Sequence, residues 1–558
     1  MQYKAPVDST LFLLRDVLKF DNELLEPILT EIAKLSEESI APTNAIGDIE
    51  GCKYDKEEKK VKTPKAFKEP YKTFAEGGWI GLSVPDEYGG QGLPFTFAVA
   101  ANEYVSSSNM AWSLFPGITR GAIQALLVSA NDTQKNYFIP RMVSGEYTGT
   151  MCLTEPHCGT DLGLLKTWAE PSEEDGLYRI TGQKIFISGG EHDLTDNIVH
   201  LVLARFKGDP EGVKGISLFA VPKFINEFGY KNYRNHVFCG AIEEKMGIHG
   251  SPTCVMNFDG AVGFLIGERC KGLQGMFIMM NELRLGCAIH GLSQSELAYQ
   301  NALQYAKDRI QSKSPVNLSG PAVPIITHPD IRRMLMDVRS INEAARLLVL
   351  EAATLVDKGG EEAEDRLSLM TPVLKGVVTD YGVENAIKMQ QVWGGHGYVR
   401  DNGMEQIVRD ARIAMIYEGA NGIQALDLVG RKLPRNMGRA VMRFFKDSES
   451  FLTNSYENGI NPIVQPMTQA VNELKQATEW LAANGMKNPN DAGGASYDYM
   501  KMFGLVLLGL AHVRICLATD DKDRHNTAEY FMNRILPETS MLLKRMRFGS
   551  DTMMNANL

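Results

Sequence analysis

The sequence predicts a mainly α chain with a small β-domain set into its middle, and three observations carry that expectation. Apolar residues recur at helical spacing from Thr10 to Leu35 and again from Pro64 to Gly81, so the first 150 residues read as helical. From Met151 to about Phe264 the texture changes to short runs rich in β-formers, separated by glycine, proline and acidic turns. After Gly275 the helical pattern returns in stretches of about 20 to 36 residues, lengths that suit an antiparallel bundle better than isolated surface helices.

Taken in order, the strand runs are Tyr178-Arg-Ile-Thr-Gly182, Ile185-Phe-Ile-Ser188, Asn197-Ile-Val-His-Leu-Val-Leu203 and Gly215-Ile-Ser-Leu-Phe-Ala-Val221. Helices are expected from Met276 to Gln311, Asp330 to Asp357, Arg366 to Trp393 and Gly422 to Lys432. The stretch from Ser312 to Pro329 holds four prolines and reads as a loop, with Asp330 as the N-cap of the helix after it. Beyond Pro434 three further helical patterns run from Ile463 to Ala483, Ser496 to Thr519 and Thr527 to Arg547. Four domains are therefore expected: an N-terminal helical domain over 1–150, a middle β-domain over 151–275, a helix bundle over 276–434 and an additional helical domain over 435–558.

Bulk properties narrow the function classes. A chain of 558 residues divides into several domains, and 44% hydrophobic with 23% charged residues is ordinary globular composition. A net charge of -10 opposes a nucleic-acid footprint, which needs clustered lysine and arginine. The most apolar stretch, Met502 to Ala518, contains His512 and Arg514 and reads as a buried helix, so no membrane association is expected. Lys4, Asp8, Arg15, Asp16 and Lys19 interrupt any signal-peptide core, which points to the cytoplasm. The eight cysteines form no CxxC pair; Cys152 and Cys158, and likewise His157, His249 and His396, lack partners at metal-site spacing. No metal is expected.

Five motifs carry the chemistry. They are Gly77-Gly-Trp-Ile-Gly-Leu-Ser-Val-Pro-Asp-Glu-Tyr-Gly-Gly90, Cys152-Leu-Thr-Glu-Pro-His-Cys-Gly-Thr-Asp161, Gly182-Gln-Lys-Ile-Phe-Ile-Ser188-Gly-Gly190, Gln391-Val-Trp-Gly-Gly-His-Gly-Tyr398, and Arg409-Asp-Ala-Arg412 followed by Tyr417-Glu-Gly-Ala-Asn-Gly-Ile-Gln424. In order and spacing they resemble the acyl-CoA dehydrogenase family. The resemblance implies an N-terminal helical domain, a small β-barrel and a long four-helix bundle, with FAD wedged between barrel and bundle. The N-terminal extension, the Ile-Thr-His-Pro-Asp-Ile-Arg-Arg333 connector and the added helical tail are most similar to the subgroup containing 3-methylmercaptopropionyl-CoA dehydrogenases.

The chemistry can be stated without the family. Desaturating a thioester between Cα and Cβ removes a weakly acidic proton and a hydride, so it needs a base and a hydride acceptor. No GxGxxG follows an expected strand, which disfavours a nicotinamide site. Glu418 lies in the apolar segment Ile413-Ala-Met-Ile-Tyr-Glu-Gly-Ala420, a setting that raises a carboxyl pKa toward working pH once water is excluded. Alone, such a glutamate reads as a cap or an exposed charge before the next helix; the resemblance makes it the catalytic base. Some relatives carry the base directly before an arginine of the first bundle helix, but here Leu283 precedes Arg284 and Glu282 is out of register.

The remaining site residues are implied by the resemblance. Thr154 and Ser188 match hydroxyls that hydrogen-bond the flavin, and Phe186 stands where an aromatic packs on the ring, in place of the usual tryptophan. Leu153, Gly159, Thr160, Ile187, Ala420 and Asn421 complete the expected cofactor contacts, Ala420 replacing a common threonine. Arg309 matches an arginine that reaches the FAD phosphates of a neighbouring subunit, with Gln391, Gly394 and Gly395 on the adenine side, so a homo-oligomer (dimer or tetramer) is implied. Thr160, Asn281, Arg284, Tyr417 and Gly419 are placed at the acyl-CoA. The expected reaction is FAD-dependent conversion of a short acyl-CoA, 3-methylmercaptopropionyl-CoA by subgroup, to the trans-2-enoyl-CoA, with electron-transfer flavoprotein as acceptor. Alternatives are a general short- or medium-chain acyl-CoA dehydrogenase and, from another class, a DNA-binding alkylation-response flavoprotein. The latter needs a basic C-terminal surface, whereas residues 435–558 hold 14 basic against 13 acidic residues.

Overall fold

Strands that pair only with their neighbours leave two sticky edges; those in the middle of this chain close instead into a ring. In the computed structural model, which describes residues 1–558 apart from 175, 227–229, 232 and 457–458, Thr253–Ile266 pairs with Leu177–Ser188, which pairs with Trp168–Pro171. Trp168–Pro171 pairs with Asn197–Phe206, that strand with Ile216–Pro222, and Ile216–Pro222 returns to Thr253–Ile266. The closed circuit is a small barrel in which each of these five strands is paired on both sides. Tyr147–Cys152 and Val237–Ile242 extend it on either side. Its interior is apolar, with Ile180, Val202, Phe219 and Met256 nearly inaccessible to water.

The chain divides into two compact units, Lys34–Gly286 and Met1–Ala33 together with Cys287–Leu558. The first holds the barrel and a set of helices. Met110–Ser129 starts where Asn109 accepts the Trp112 amide, and Asp132–Val143 starts with a reciprocal capping box between Asn131 and Gln134. A short hairpin, Lys53–Asp55 with Lys60–Lys62, interrupts the expected all-helical N-terminal region.

The second unit is helical. Gly272–Asp308, whose later part belongs to it, begins four residues before the expected start. Pro329–Lys358 is capped by His328 with Pro329 at its first turn, so Asp330 is not the N-cap; proline supplies the preset φ and lacks the N–H that a cap would satisfy. The proline-rich connector is partly a hairpin, Ile310–Lys313 with Ala322–Pro324, because its prolines fall at the ends of the pairing. Thr10 to Leu35 is likewise not continuous: Val7–Phe12 passes through a wide turn at Leu13–Val17, Lys19 takes a φ of 56°, and the helix resumes at Leu25–Leu35.

Gly360–Val373 continues through a single wide π-turn, Leu374–Val378, into Thr379–Val392. This helix crosses Gly272–Asp308 at a pair of glycines. A Cβ on Gly382 would lie 2.7 Å from the Gly291 Cα, so nothing larger fits and the backbones touch. In the C-terminal region Pro489–Leu517 is the central helix, surrounded by Arg439–Ser455, Asn461–Asn484, Lys522–Arg534 and Glu538–Arg547. Among the described residues it alone is long and apolar enough to cross a membrane, and 83% of its apolar window is buried in the protein.

Candidate active site

In the barrel unit, Phe186 is thrown outward by a bulge. Ile187 faces Cys254 and Lys184 faces Met256, so Ile185 and Phe186 together oppose Val255 alone. Phe186 takes a φ of 59°, and its ring is 60% exposed on an otherwise well-covered strand. A bulge re-aims a side chain in this way, and the left-handed φ costs on the order of 1–3 kcal/mol in a residue with a Cβ. An aromatic face presented to solvent at that cost suits a planar ring system.

The segment 153–160 is tied to the same strand. The Ile185 amide donates to Thr154 O (2.9 Å), while Glu155 and Cys158 exchange backbone hydrogen bonds around Pro156-His157. Beneath it lies Lys184, with no exposure at all, donating to Leu153 O (3.0 Å) and Glu155 Oε1 (2.8 Å). Burial works to raise the Glu155 carboxyl, but Lys184 and the amides of Thr167 and Lys166 overcome it and hold the pKa below its usual value. Thr154 and Ser188 are half-buried and Gly159 and Thr160 exposed, all available to a ligand. Leu153 and Ile187 turn their side chains into the core, so only their backbone can meet a cofactor.

His157 does have neighbours at ligand distance, contrary to its sequence spacing: one atom each of Glu155, His157 and Cys158 lies within 4.8 Å of the others. The Lys184 ammonium on Glu155 opposes a cation there, and His157 donates to Leu164 O (3.0 Å). His249 is a structural histidine, bonded to Asp48 and to Lys245 O. Arg284 is buried and Asn281 exposed. Burial pushes the Glu282 carboxyl up to about 7 against the pull of Arg120.

In the helical unit, Tyr417-Glu-Gly-Ala-Asn421 forms the turn between Ile413–Met415 and the helix Asn421–Asp427, whose N-cap is Ala420. Glu418 has a φ of 57° and Gly419 of 86°, so two successive residues are left-handed and Glu418 is neither a cap nor a fully exposed charge. Gln424 donates to Glu418 O (3.1 Å) and Gly419 O (3.2 Å). Lys375, fully buried in the π-turn, donates to Gly419 O and Asn421 Oδ1, both at 2.8 Å. Each bond from a charged donor contributes about 1.5–3 kcal/mol, enough to outweigh the strain at Glu418. Tyr417 hydrogen-bonds His290 through its hydroxyl.

The Asn421 side chain is not free for a cofactor. It is 4% exposed, and its amide donates to Gly376 O, Thr379 Oγ1 and Asp380 Oδ1 while its oxygen accepts from Lys375. Lys375, Asp380 and His290 were not legible as site residues, because a buried lysine, aspartate or histidine in a helix reads like an exposed one.

The same unit brings Arg309 and the loop Gln391 to Gly395 together. Tyr305 lies one turn before Arg309, stacks on Trp393 (centroids 4.2 Å apart) and hydrogen-bonds His396 Nδ1 (2.8 Å). Arg309, Gln391, Gly394 and Gly395 are all exposed. Gly394 has a φ of 57° and ψ of -141°, a conformation essentially confined to glycine. At Gly395 an added Cβ would meet nothing within 4 Å, so the chain's own packing does not require glycine there; an approaching ligand would. The exposed aromatic, the hydroxyls and this open glycine turn all fit FAD.

Comparison with known proteins decides the family. The N-terminal, middle and C-terminal acyl-CoA dehydrogenase domains match residues 27–146, 150–261 and 271–433, and an acetyl-CoA dehydrogenase C-terminal-like domain matches 444–557. The chain belongs to the acyl-CoA dehydrogenase family. This acyl-CoA dehydrogenase is 37% identical to the 3-methylmercaptopropionyl-CoA dehydrogenase of Ruegeria pomeroyi over 591 aligned positions, covering 100% of both chains. Its fold matches that of Caenorhabditis elegans ACDH-11 in complex with C11-CoA, with a TM-score of 0.84 at 19% identity over 100% of this chain and 96% of the other. It also matches a Bacillus anthracis acyl-CoA dehydrogenase complexed with FAD, with a TM-score of 0.77 at 21% identity over 98% and 92%. The protein is an FAD-dependent oxidoreductase acting on acyl-CoA thioesters.

Proposed function

We propose that this acyl-CoA dehydrogenase converts 3-methylmercaptopropionyl-CoA to its trans-2-enoyl thioester, with Glu418 as the base. Full-length similarity to the Ruegeria pomeroyi enzyme carries the choice of substrate. Glu418 removes the proton α to the thioester carbonyl, and the strained turn fixes the carboxylate without exposing it fully. Tyr417 and Gly419 flank the base, and Thr160, Asn281 and Arg284 bind the CoA thioester. Hydrogen bonds to the carbonyl stabilise the enolate-like charge that develops as the proton leaves. Bound FAD supplies the acceptor for the β-hydride.

Phe186, Thr154 and Ser188 hold the flavin, with backbone contacts from the segment 153–160. Arg309, Gln391, Gly394 and Gly395 reach the FAD of a second copy of the chain, which makes the working enzyme a homo-oligomer. Electron-transfer flavoprotein takes the electrons onward, in the cytoplasm, and the four expected domains form its working divisions.

The test is an anaerobic titration with saturated acyl-CoAs, including 3-methylmercaptopropionyl-CoA and butyryl-CoA, following loss of flavin absorbance. Wild type is expected to bleach, fastest with the sulfur-containing thioester, and Glu418→Gln to bleach at least about 1,000-fold more slowly. A faster response to a straight-chain thioester would assign a general short- or medium-chain role. Equal bleaching by Glu418→Gln would remove Glu418 as the base.

A further inference from the structure

The turn that presents Glu418 is anchored from below by a chain of polar side chains that ends in the C-terminal helices. Lys375 holds Gly419 O and Asn421 Oδ1. Asn421 donates to Asp380 Oδ1 (2.7 Å), and Asp380 Oδ2 accepts from the Tyr497 hydroxyl (2.5 Å). Tyr497 belongs to Pro489–Leu517, the central helix of the added C-terminal region. The lysine and the amide are buried at 0% and 4% exposure, and the lysine lies within the wide turn Leu374–Val378.

We infer that Lys375, Asp380 and Tyr497 are positioning residues for the base, and that one role of the C-terminal region is to fix the Glu418–Gly419 turn. The inference rests on Glu418 being the base. A carboxylate on two successive left-handed residues can swing by rotation of either, and proton transfer depends steeply on the distance from base to Cα–H. Gln424 holds two carbonyls of the turn, Lys375 links one of them, Gly419 O, to a second helix, and Asp380 with Tyr497 orients the Asn421 amide that completes the link.

The experiment compares wild-type holoenzyme with Lys375→Met, Tyr497→Phe and Glu418→Gln, measuring FAD content, the Kd for crotonyl-CoA and the rate of flavin reduction by butyryl-CoA. Lys375→Met is expected to reduce about 30-fold more slowly and Tyr497→Phe about fivefold, with FAD content and Kd within about twofold of wild type. A structural role alone would lower FAD content or binding together with rate. Lys375→Met that keeps FAD and reduces within about twofold of wild type overturns the inference. Should Lys375→Met fail to fold, Tyr497→Phe decides, and a wild-type rate there is equally fatal. If Glu418→Gln bleaches as wild type does, the base assignment has failed. If Glu418→Gln is inert while the other two behave as wild type, only the present inference has failed.

Discussion

Phe186 shows how much a single residue can hide. Its motif implies a contact with the flavin, yet nothing in Ile185-Phe-Ile-Ser188 signals that the ring leaves the strand through a bulge with a left-handed φ. Alternation would put Phe186 on the same face as Lys184, which is wholly buried, whereas the ring is 60% exposed. Phe186→Ala is expected to keep the barrel folded and to weaken FAD binding about tenfold, measured by titrating apoprotein with FAD. Phe186→Trp should restore the affinity. Asn421 is the opposite case: the motif implies a cofactor contact, but its amide bonds within the protein, since four partners already surround it.

At the scale of elements, periodicity places the long helices of the second half, but Met404–Arg412 and Arg439–Ser455 fall outside its stretches and the expected helix from Thr527 to Arg547 is broken at Pro537 into Lys522–Arg534 and Glu538–Arg547. The connector after Arg309 reads as a loop because it holds four prolines, yet prolines at the ends of a pairing leave the intervening amides free to form a hairpin. Helix ends shift where the cap lies outside the periodic stretch, as at His328. The loop Gln391 to Gly395 offers a test that separates folding from binding. Gly395 begins a short helix and an added Cβ meets nothing, so Gly395→Ala should leave the stability of apoprotein within about 0.5 kcal/mol of wild type. The same variant is expected to lose FAD affinity at least about tenfold, because the methyl group occupies space the ligand needs. Unchanged affinity would show that FAD does not approach this turn.

For the molecule as a whole, the order of helical region, barrel, bundle and added helices was legible because hydrophobic period changes from helical to strand spacing and back. Closure of the barrel was implied only by the family resemblance, since pairing between distant strands leaves no trace in local pattern. The charge state of the interior was not legible. His192, His200 and His512 are buried, and burial lowers their pKa from 6.5 to about 3, 3 and 4. Their folded values are depressed, so below about 6.5 the unfolded chain binds protons the native chain refuses, and stability falls as pH falls. His512 alone should account for about 2 kcal/mol lost between pH 7.5 and 5. His512→Gln, whose amide can still reach Ser340 O, is expected to melt with a shallower pH dependence over that range. An unchanged slope would mean that His512 titrates normally in the native protein.

Lys184 in one unit and Lys375 in the other share a property that bears on the chemistry of the substrate itself. Thioesters acylate free amines without any catalyst, so a protein that works on acyl-CoA is bathed in a reagent for its own lysines. Both of these ammonium groups sit where no thioester can collide with them, each already donating to a backbone carbonyl beside the site. Surface lysines can be acylated at little consequence to the turn or the barrel wall. The two amines on which those features depend are sheltered from self-inflicted damage for as long as the protein stays folded.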